Sequence, residues 1–105
     1  MNAIEKSVKE LVKTELKYAN SRFPLFNSGH EGYAVILEEV DECEDEMKQL
    51  KIFQNDFWNM VKCNDLYMQK RIIKLISITA MNLAIEAIQV AAMCEKYRLS
   101  LFEEV

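Results

Sequence analysis

Residues Glu38, Glu39, Val40, Asp41 and Glu42 spell E-E-x-x-E within a stretch of helical patterning. On a helix Glu38 and Glu42 stand one turn apart and Glu39 and Glu42 three residues apart, so their carboxylates project from one side. Two unit charges about 4 Å apart repel by roughly 4 kcal/mol at an effective dielectric near 20. A hard divalent cation, Mg²⁺ or Mn²⁺, takes oxygen ligands and reverses the sign of that repulsion. Taken alone, the pentapeptide reads equally as a solvated acidic face. A second segment argues for a site. Between Ile72 and Cys94 the chain is apolar on nearly every side of a helix, yet four of its six polar residues, Thr79, Asn82, Glu86 and Gln89, form a narrow seam. They fall within roughly 60° of one direction at 100° per residue. A carboxylate such as Glu86 is almost never fully buried without a partner, so the seam must face ions, water, a ligand or another polar surface.

The elements that position these groups follow from punctuation. Only two Gly and one Pro occur in 105 residues, which predicts an all-α chain of few, long helices forming a single domain over residues 1–105. Ile4, Val8, Leu11, Val12 and Ala19 recur at helical spacing and predict an amphipathic first helix over 2–21. A loop over 22–29 contains Pro24, Asn27, Ser28 and Gly29. Ser28 followed by Glu31 is a capping-box pair that opens a long helix of about 30–62. Gly32, in its first turn, either admits a close neighbour or is a tolerated glycine near a helix end. Short polar side chains that compete for backbone hydrogen bonds occur at Gln54–Asp56 and at Asn64-Asp65. The second is the preferred turn, with Asn64 or Asp65 capping a helix of about 66–98.

Folded antiparallel about Asn64, opposed positions sum to 128. Glu42 then faces Glu86, Glu39 faces Gln89, Glu46 faces Asn82 and Gln49 faces Thr79, while Val35 with Met93 and Phe53 with Leu75 pack around them. A turn near Asn55 would destroy that register. At about 1.5 Å per residue each long helix approaches 50 Å, so the monomer is thin. Burying the apolar third helix predicts homo-oligomerisation, as a homodimer or homotetramer, into a four-helix-type bundle. Phe53, Phe57 and Trp58 sit at core or interface spacing rather than at that of a base-stacking platform.

The formal net charge of −4, with acids and bases mixed along the chain, excludes the basic stripe that nucleic acid needs. The longest uninterrupted apolar run, Val90 to Cys94, is far short of the roughly 20 residues of a membrane span. No signal peptide is evident, so a soluble, cytoplasmic protein is expected. Cys43, Cys63 and Cys94 are widely spaced and odd in number, which suits neither a disulfide framework nor a zinc site, and each is expected to be a small buried apolar residue. His30, the only histidine, reads as a helix-start residue. With no histidine in the cluster, a di-iron site with Glu-x-x-His pairs does not fit.

E-E-x-x-E followed on the next helix by E-x-x-D resembles the signature of the all-α nucleoside triphosphate pyrophosphatases, the MazG-like group. Glu38 to Glu42 match the first motif in full, and Glu86-Ala87-Ile88-Gln89 matches the second except at its last position. The strings His30 to Val35 and Glu86 to Met93 also resemble small MazG-like proteins carried by phages and their bacterial hosts. The resemblance covers about residues 28–98. It implies hydrolysis of a nucleoside triphosphate to monophosphate and pyrophosphate with Mg²⁺. Glu39, Glu42 and Glu86 would be metal ligands, with Gln89 a neutral ligand or a group just behind them, and Glu38 a further ligand or the base that orients water. Asn82 and Thr79, with Glu46 beside them, would meet the base or sugar. Two departures stand out. Gln89 replaces the aspartate, which keeps an oxygen ligand but removes a charge. The 43 residues between Glu42 and Glu86 exceed the family's usual gap, although lengthening both helices equally preserves the facing arrangement. No basic residue for the phosphates is obvious: Arg71 lies four turns from Glu86, and Lys48 and Lys51 point elsewhere. The alternative is a catalytically impaired MazG-like helical oligomer that serves as a binding or interaction module.

Overall fold

The computed structural model describes residues 2–103, which form three helices: α1 (Asn2–Arg22), α2 (Gly29–Lys62) and α3 (Leu66–Phe102). No strand occurs among the described residues. α2 and α3 pair along their lengths as an antiparallel hairpin, and α1 packs against α3.

The hairpin turns at Asn64. Its φ of 57° is a left-handed conformation that asparagine tolerates better than most residues. Asp65 caps α3, its carboxylate accepting from the Met68 N–H at 3.0 Å, and its own N–H donates to the Met60 carbonyl at 3.0 Å. Gln69 closes the turn, Nε2 donating to that same carbonyl at 3.1 Å. α2 passes through Gln54–Asp56 without a break, because those polar side chains face solvent and leave the helical ladder intact.

At the other end Ser28 caps α2, its Oγ accepting from the Glu31 N–H at 3.2 Å. The reciprocal arm of the expected capping box is displaced by one residue. Glu31 Oε2 accepts from the N–H of Asn27 at 3.4 Å and from its side-chain amide at 3.3 Å, rather than from Ser28. The loop is held from α3: the Phe26 N–H donates to Ser100 Oγ at 2.9 Å, and that hydroxyl donates to the Lys96 carbonyl at 2.7 Å. Those bonds, with the Tyr97–Phe26 and Tyr97–Phe102 ring contacts, carry α3 to Phe102, four residues past the expected end at 98. Glu103, at φ 55°, ends the helix, its N–H donating to the Arg98 carbonyl.

Gly32 is the close-approach glycine. A Cβ there would stand 2.5 Å from Tyr97 Cδ2 and 3.1 Å from Phe26 Cδ2. Gly32→Ala would gain up to about 1 kcal/mol of helix propensity, but the ring it displaces is wedged between Phe26 and Phe102. Overpacking of this kind costs about 1–3 kcal/mol and should outweigh the gain. The variant is expected to melt several degrees below the parent by circular dichroism; an equal or higher Tm would show that the clasp yields freely.

The monomer is thin, as its helix lengths dictate. Its extents are 56 × 30 × 21 Å and its radius of gyration is 17.7 Å, against roughly 13 Å for a compact chain of this length. It exposes 7870 Å², whereas a compact 12.3 kDa protein exposes about 6100 Å². Among the described residues buried apolar side chains are few: Phe26, Ile72 and Ala92. α1 covers only the C-terminal half of α3, where Val8, Val12 and Leu16 approach Ala91, Glu95 and Arg98. Ile78, Met81 and Ile85 in the middle of α3 stay 44%, 58% and 54% exposed. The same thinness overturns the expectation of three buried cysteines. Cys63 at the turn and Cys94 on α3 are exposed, and Cys43 alone is half-buried.

By length and composition alone, α3 is apolar enough to cross a membrane. Its hairpin partner argues otherwise. Opposite the apolar middle of α3, α2 carries Glu38, Glu39, Asp41, Glu42, Glu44, Asp45 and Glu46. Inserting α3 would bring that acidic run to bilayer depth, where each charge costs about 2.5 kcal/mol or more.

Candidate metal centre and adjoining cleft

The hairpin register brings α2 and α3 together at the acidic residues. One carboxylate oxygen from each of Glu39, Glu42 and Glu86 lies within 4.8 Å of the other two. Glu39 and Glu42 come from successive turns of α2, and Glu86 faces them from α3. Glu39 and Glu86 are half-buried, and Glu42 is exposed. Oε2 of Glu39 and Oε2 of Glu86 are both buried without a hydrogen-bond partner. Buried polar atoms are rarely left so.

The electrostatics agree. A hydrogen bond to the Glu42 carboxyl pushes Glu86 up to about 7, helped by burial and by the charges of Glu42, Glu39 and Glu46. Burial raises Glu39, followed by Glu42, Glu38 and, from α1, Glu15. Both carboxyls are shifted toward the protonated form, Glu86 first by its contact with Glu42 and Glu39 first by burial. Burial together with the charges of Glu86, Glu39 and Glu42 also raises the Cys43 thiol, which keeps it a neutral neighbour. Oxygen ligands around Mg²⁺ lie roughly 3–4 Å apart, and around Ca²⁺ up to roughly 5 Å. The three carboxylates are therefore close to a hard-cation geometry.

Glu38 is exposed on the outer side of α2 and is not one of the three converging carboxylates. Glu46 is half-buried and close enough to act on Glu86. Thr79 is buried, and Asn82, a turn from Glu86, is exposed. Gln89 is half-buried and, with Glu39, lines a cleft of about 450 Å³ between the acidic cluster and the end of the hairpin. Neither Thr79, Asn82 nor Glu46 lines it.

The cleft's other walls come from α1 and the loop, with Tyr18, Phe23, Pro24 and Phe26 as an aromatic and apolar side. Phe53, Phe57 and Trp58 lie toward the hairpin turn and take no part in it. The cleft also holds the cation that inspection of the sequence missed. Lys96 is 3% exposed, its ammonium 5.0 Å from the Phe26 ring centre and 6.0 Å from that of Phe23. Burial lowers its pKa, partly offset by Glu31. A signal for it existed. Lys96 lies seven residues beyond Gln89 and so within about 20° of the same direction on α3.

Compared with protein-family models, with curated proteins and with solved structures, the chain has no match in any of the three.

Proposed function

We propose that this chain is a Mg²⁺-dependent nucleoside triphosphate pyrophosphohydrolase of MazG-like type, soluble, cytoplasmic and active as a homo-oligomer. The observation that carries the reading is the convergence of Glu39, Glu42 and Glu86 from two helices, with two buried carboxylate oxygens among them left unpartnered. Glu39, Glu42 and Glu86 would hold the cation. Bound there, Mg²⁺ or Mn²⁺ would offset negative charge on the triphosphate and lower the pKa of the attacking water. Gln89 would orient the substrate through its amide without adding charge. Glu46 would reinforce the negative potential around Glu86. Glu38, on the outer side, is left the role of water-orienting base only if a side-chain rotation carries it inward. The overall step adds one water across the anhydride bond between the α- and β-phosphates and yields a nucleoside monophosphate and pyrophosphate.

The test is release of pyrophosphate from a panel of canonical and modified nucleoside triphosphates with Mg²⁺ or Mn²⁺, alongside thermal melts with each metal. Turnover by the parent chain that requires metal is expected. Absence of turnover across the panel, with no thermal shift on adding metal, would remove the enzyme. A metal-dependent shift without turnover would instead favour the second reading, a helical binding module, to which the neutral Gln89 in place of an aspartate points.

A further inference from the structure

The cleft beside the acidic cluster has a charge balance of its own. Three carboxylates, those of Glu15, Glu31 and Glu39, face one ammonium, that of Lys96. A second polyanion would be repelled there, whereas a neutral planar ring would meet the apolar side made by Tyr18, Phe23 and Phe26. Among the described residues the ammonium of Lys96 has no hydrogen-bond or ion-pair partner; its contacts are with the faces of two aromatic rings. Lys96 lines the cleft although only 3% of the residue is exposed. Glu31 binds Asn27 through Oε2, and Oε1 makes no hydrogen bond. The charges of Glu31 and Lys96 act on each other without forming an ion pair. Among the groups that line the cleft with its aromatic side chains are thus one donor, Lys96, and one acceptor, Glu31 Oε1, that form no hydrogen bond among the described residues. Its volume of about 450 Å³ lies within the roughly 300–1,000 Å³ typical of small-molecule sites.

We infer that the cleft is a nucleobase pocket selective for bases with a lactam edge, a ring carbonyl beside a ring N–H, as in hypoxanthine, guanine, uracil and thymine. Lys96 donates to the carbonyl and Glu31 accepts from the adjacent N–H. Adenine and cytosine carry an amino group where the carbonyl would be and a bare ring nitrogen where the N–H would be. They would set donor against donor at Lys96 and acceptor against acceptor at Glu31. This rests on the nucleotide reading above and adds which nucleotide. Glu39, shared between cleft and cluster, places such a base next to the cation site.

Two pairs of nucleosides that differ only at this edge, inosine against adenosine and uridine against cytidine, test it by calorimetric titration of the whole chain in EDTA. The expected result is a preference of roughly tenfold or more for inosine and uridine, equivalent to about 1.4 kcal/mol. Lys96→Met, which replaces a buried cation by an apolar chain of similar length, should fold and lose the preference. Equal binding within both pairs, no binding of any of the four, or a preference that survives in Lys96→Met would each overturn the inference. So would protection of Lys96 by pyrophosphate alone, seen as binding to the parent and not to Lys96→Met. Because neither metal nor turnover enters the titration, the two readings fail separately. Base selectivity without hydrolysis would leave the pocket and remove the enzyme. Hydrolysis without base selectivity would do the reverse.

Discussion

Replacing Glu86 by glutamine should stabilise the metal-free protein and at the same time abolish its response to metal. Glu86 sits against Glu42 and Glu39, and they push it up to about 7. Its folded-state pKa therefore lies above its unfolded value. The folded chain binds the extra proton between roughly pH 4.5 and 7, and stability contributed by that proton is fully present below the unfolded pKa and falls as pH rises through 7. Partial exposure limits the penalty above pH 7 to about 1–2 kcal/mol. Each kcal/mol is worth roughly 4–8 °C for a chain of this size. Glu86→Gln removes the charge, so its Tm in EDTA at pH 8 should exceed that of the parent by several degrees and should vary less across pH 5–8. The cation would bind only the deprotonated cluster, so metal affinity of the parent should rise as pH passes 7 and should be lost in the variant. Turnover should fall by more than the roughly 10–100-fold typical of disturbing a residue behind a ligand. Thermal melts with and without Mg²⁺ across that pH range decide the matter. A variant that melts lower in EDTA would mean that Glu86 is stabilising, and that the three carboxylates are not strained by one another.

Charging the bare stripe of α3 should break the protein into monomers. A surface roughly 1,800 Å² larger than that of a compact chain of equal mass is left on each copy. Two such surfaces fall in the range of obligate homodimer interfaces, about 2,000–5,000 Å² in total. Ile78, Met81 and Ile85 lie on one side of α3, and Val40, Met47 and Trp58 on one side of α2, all exposed. Both positions are exposed in the monomer, so the Ile78→Glu, Ile85→Glu double variant removes only part of its own packing. Light scattering should show the parent as a dimer or tetramer and the variant at 12.3 kDa or largely unfolded. Concentration supplies an independent measurement, because a chain that folds by associating melts higher as its concentration rises. A parent that is monomeric, with a Tm indifferent to concentration, would remove the bundle.

Much of this arrangement was legible in the sequence, for identifiable reasons. The turn at Asn64 was marked by two short polar residues able to adopt a left-handed turn and cap the next helix, whereas Gln54–Asp56 lie within a stretch whose apolar period never breaks. Once the turn is placed, the meeting of Glu42 with Glu86 follows from helix geometry. The displaced arm of the capping box was not legible, because it depends on the path of Asn27. Nor was the end of α3, which Ser100 and Tyr97 set through contacts with a loop some seventy residues earlier. The exposure of Cys63 and Cys94 was missed because small apolar residues are buried only where a partner exists, and this monomer has too few layers. Lys96 escaped notice because the polar seam was followed only through the apolar stretch ending at Cys94. Beyond it, a lysine on the last turns of a helix looks like an ordinary surface charge.

The place of the turn has one more consequence. Glu42 and Glu86 each stand about twenty residues from Asn64, which at 1.5 Å per residue sets the acidic cluster roughly 30 Å from the tip. The 35 residues from Met47 to Met81, including Ile52, Trp58, Leu66, Tyr67 and Ile73, line neither the cluster nor the cleft, yet those five are exposed and apolar. A third of the chain is thus a handle. Shortening both of its arms by matching whole turns would leave the acidic cluster and the cleft where they stand and remove only exposed apolar surface.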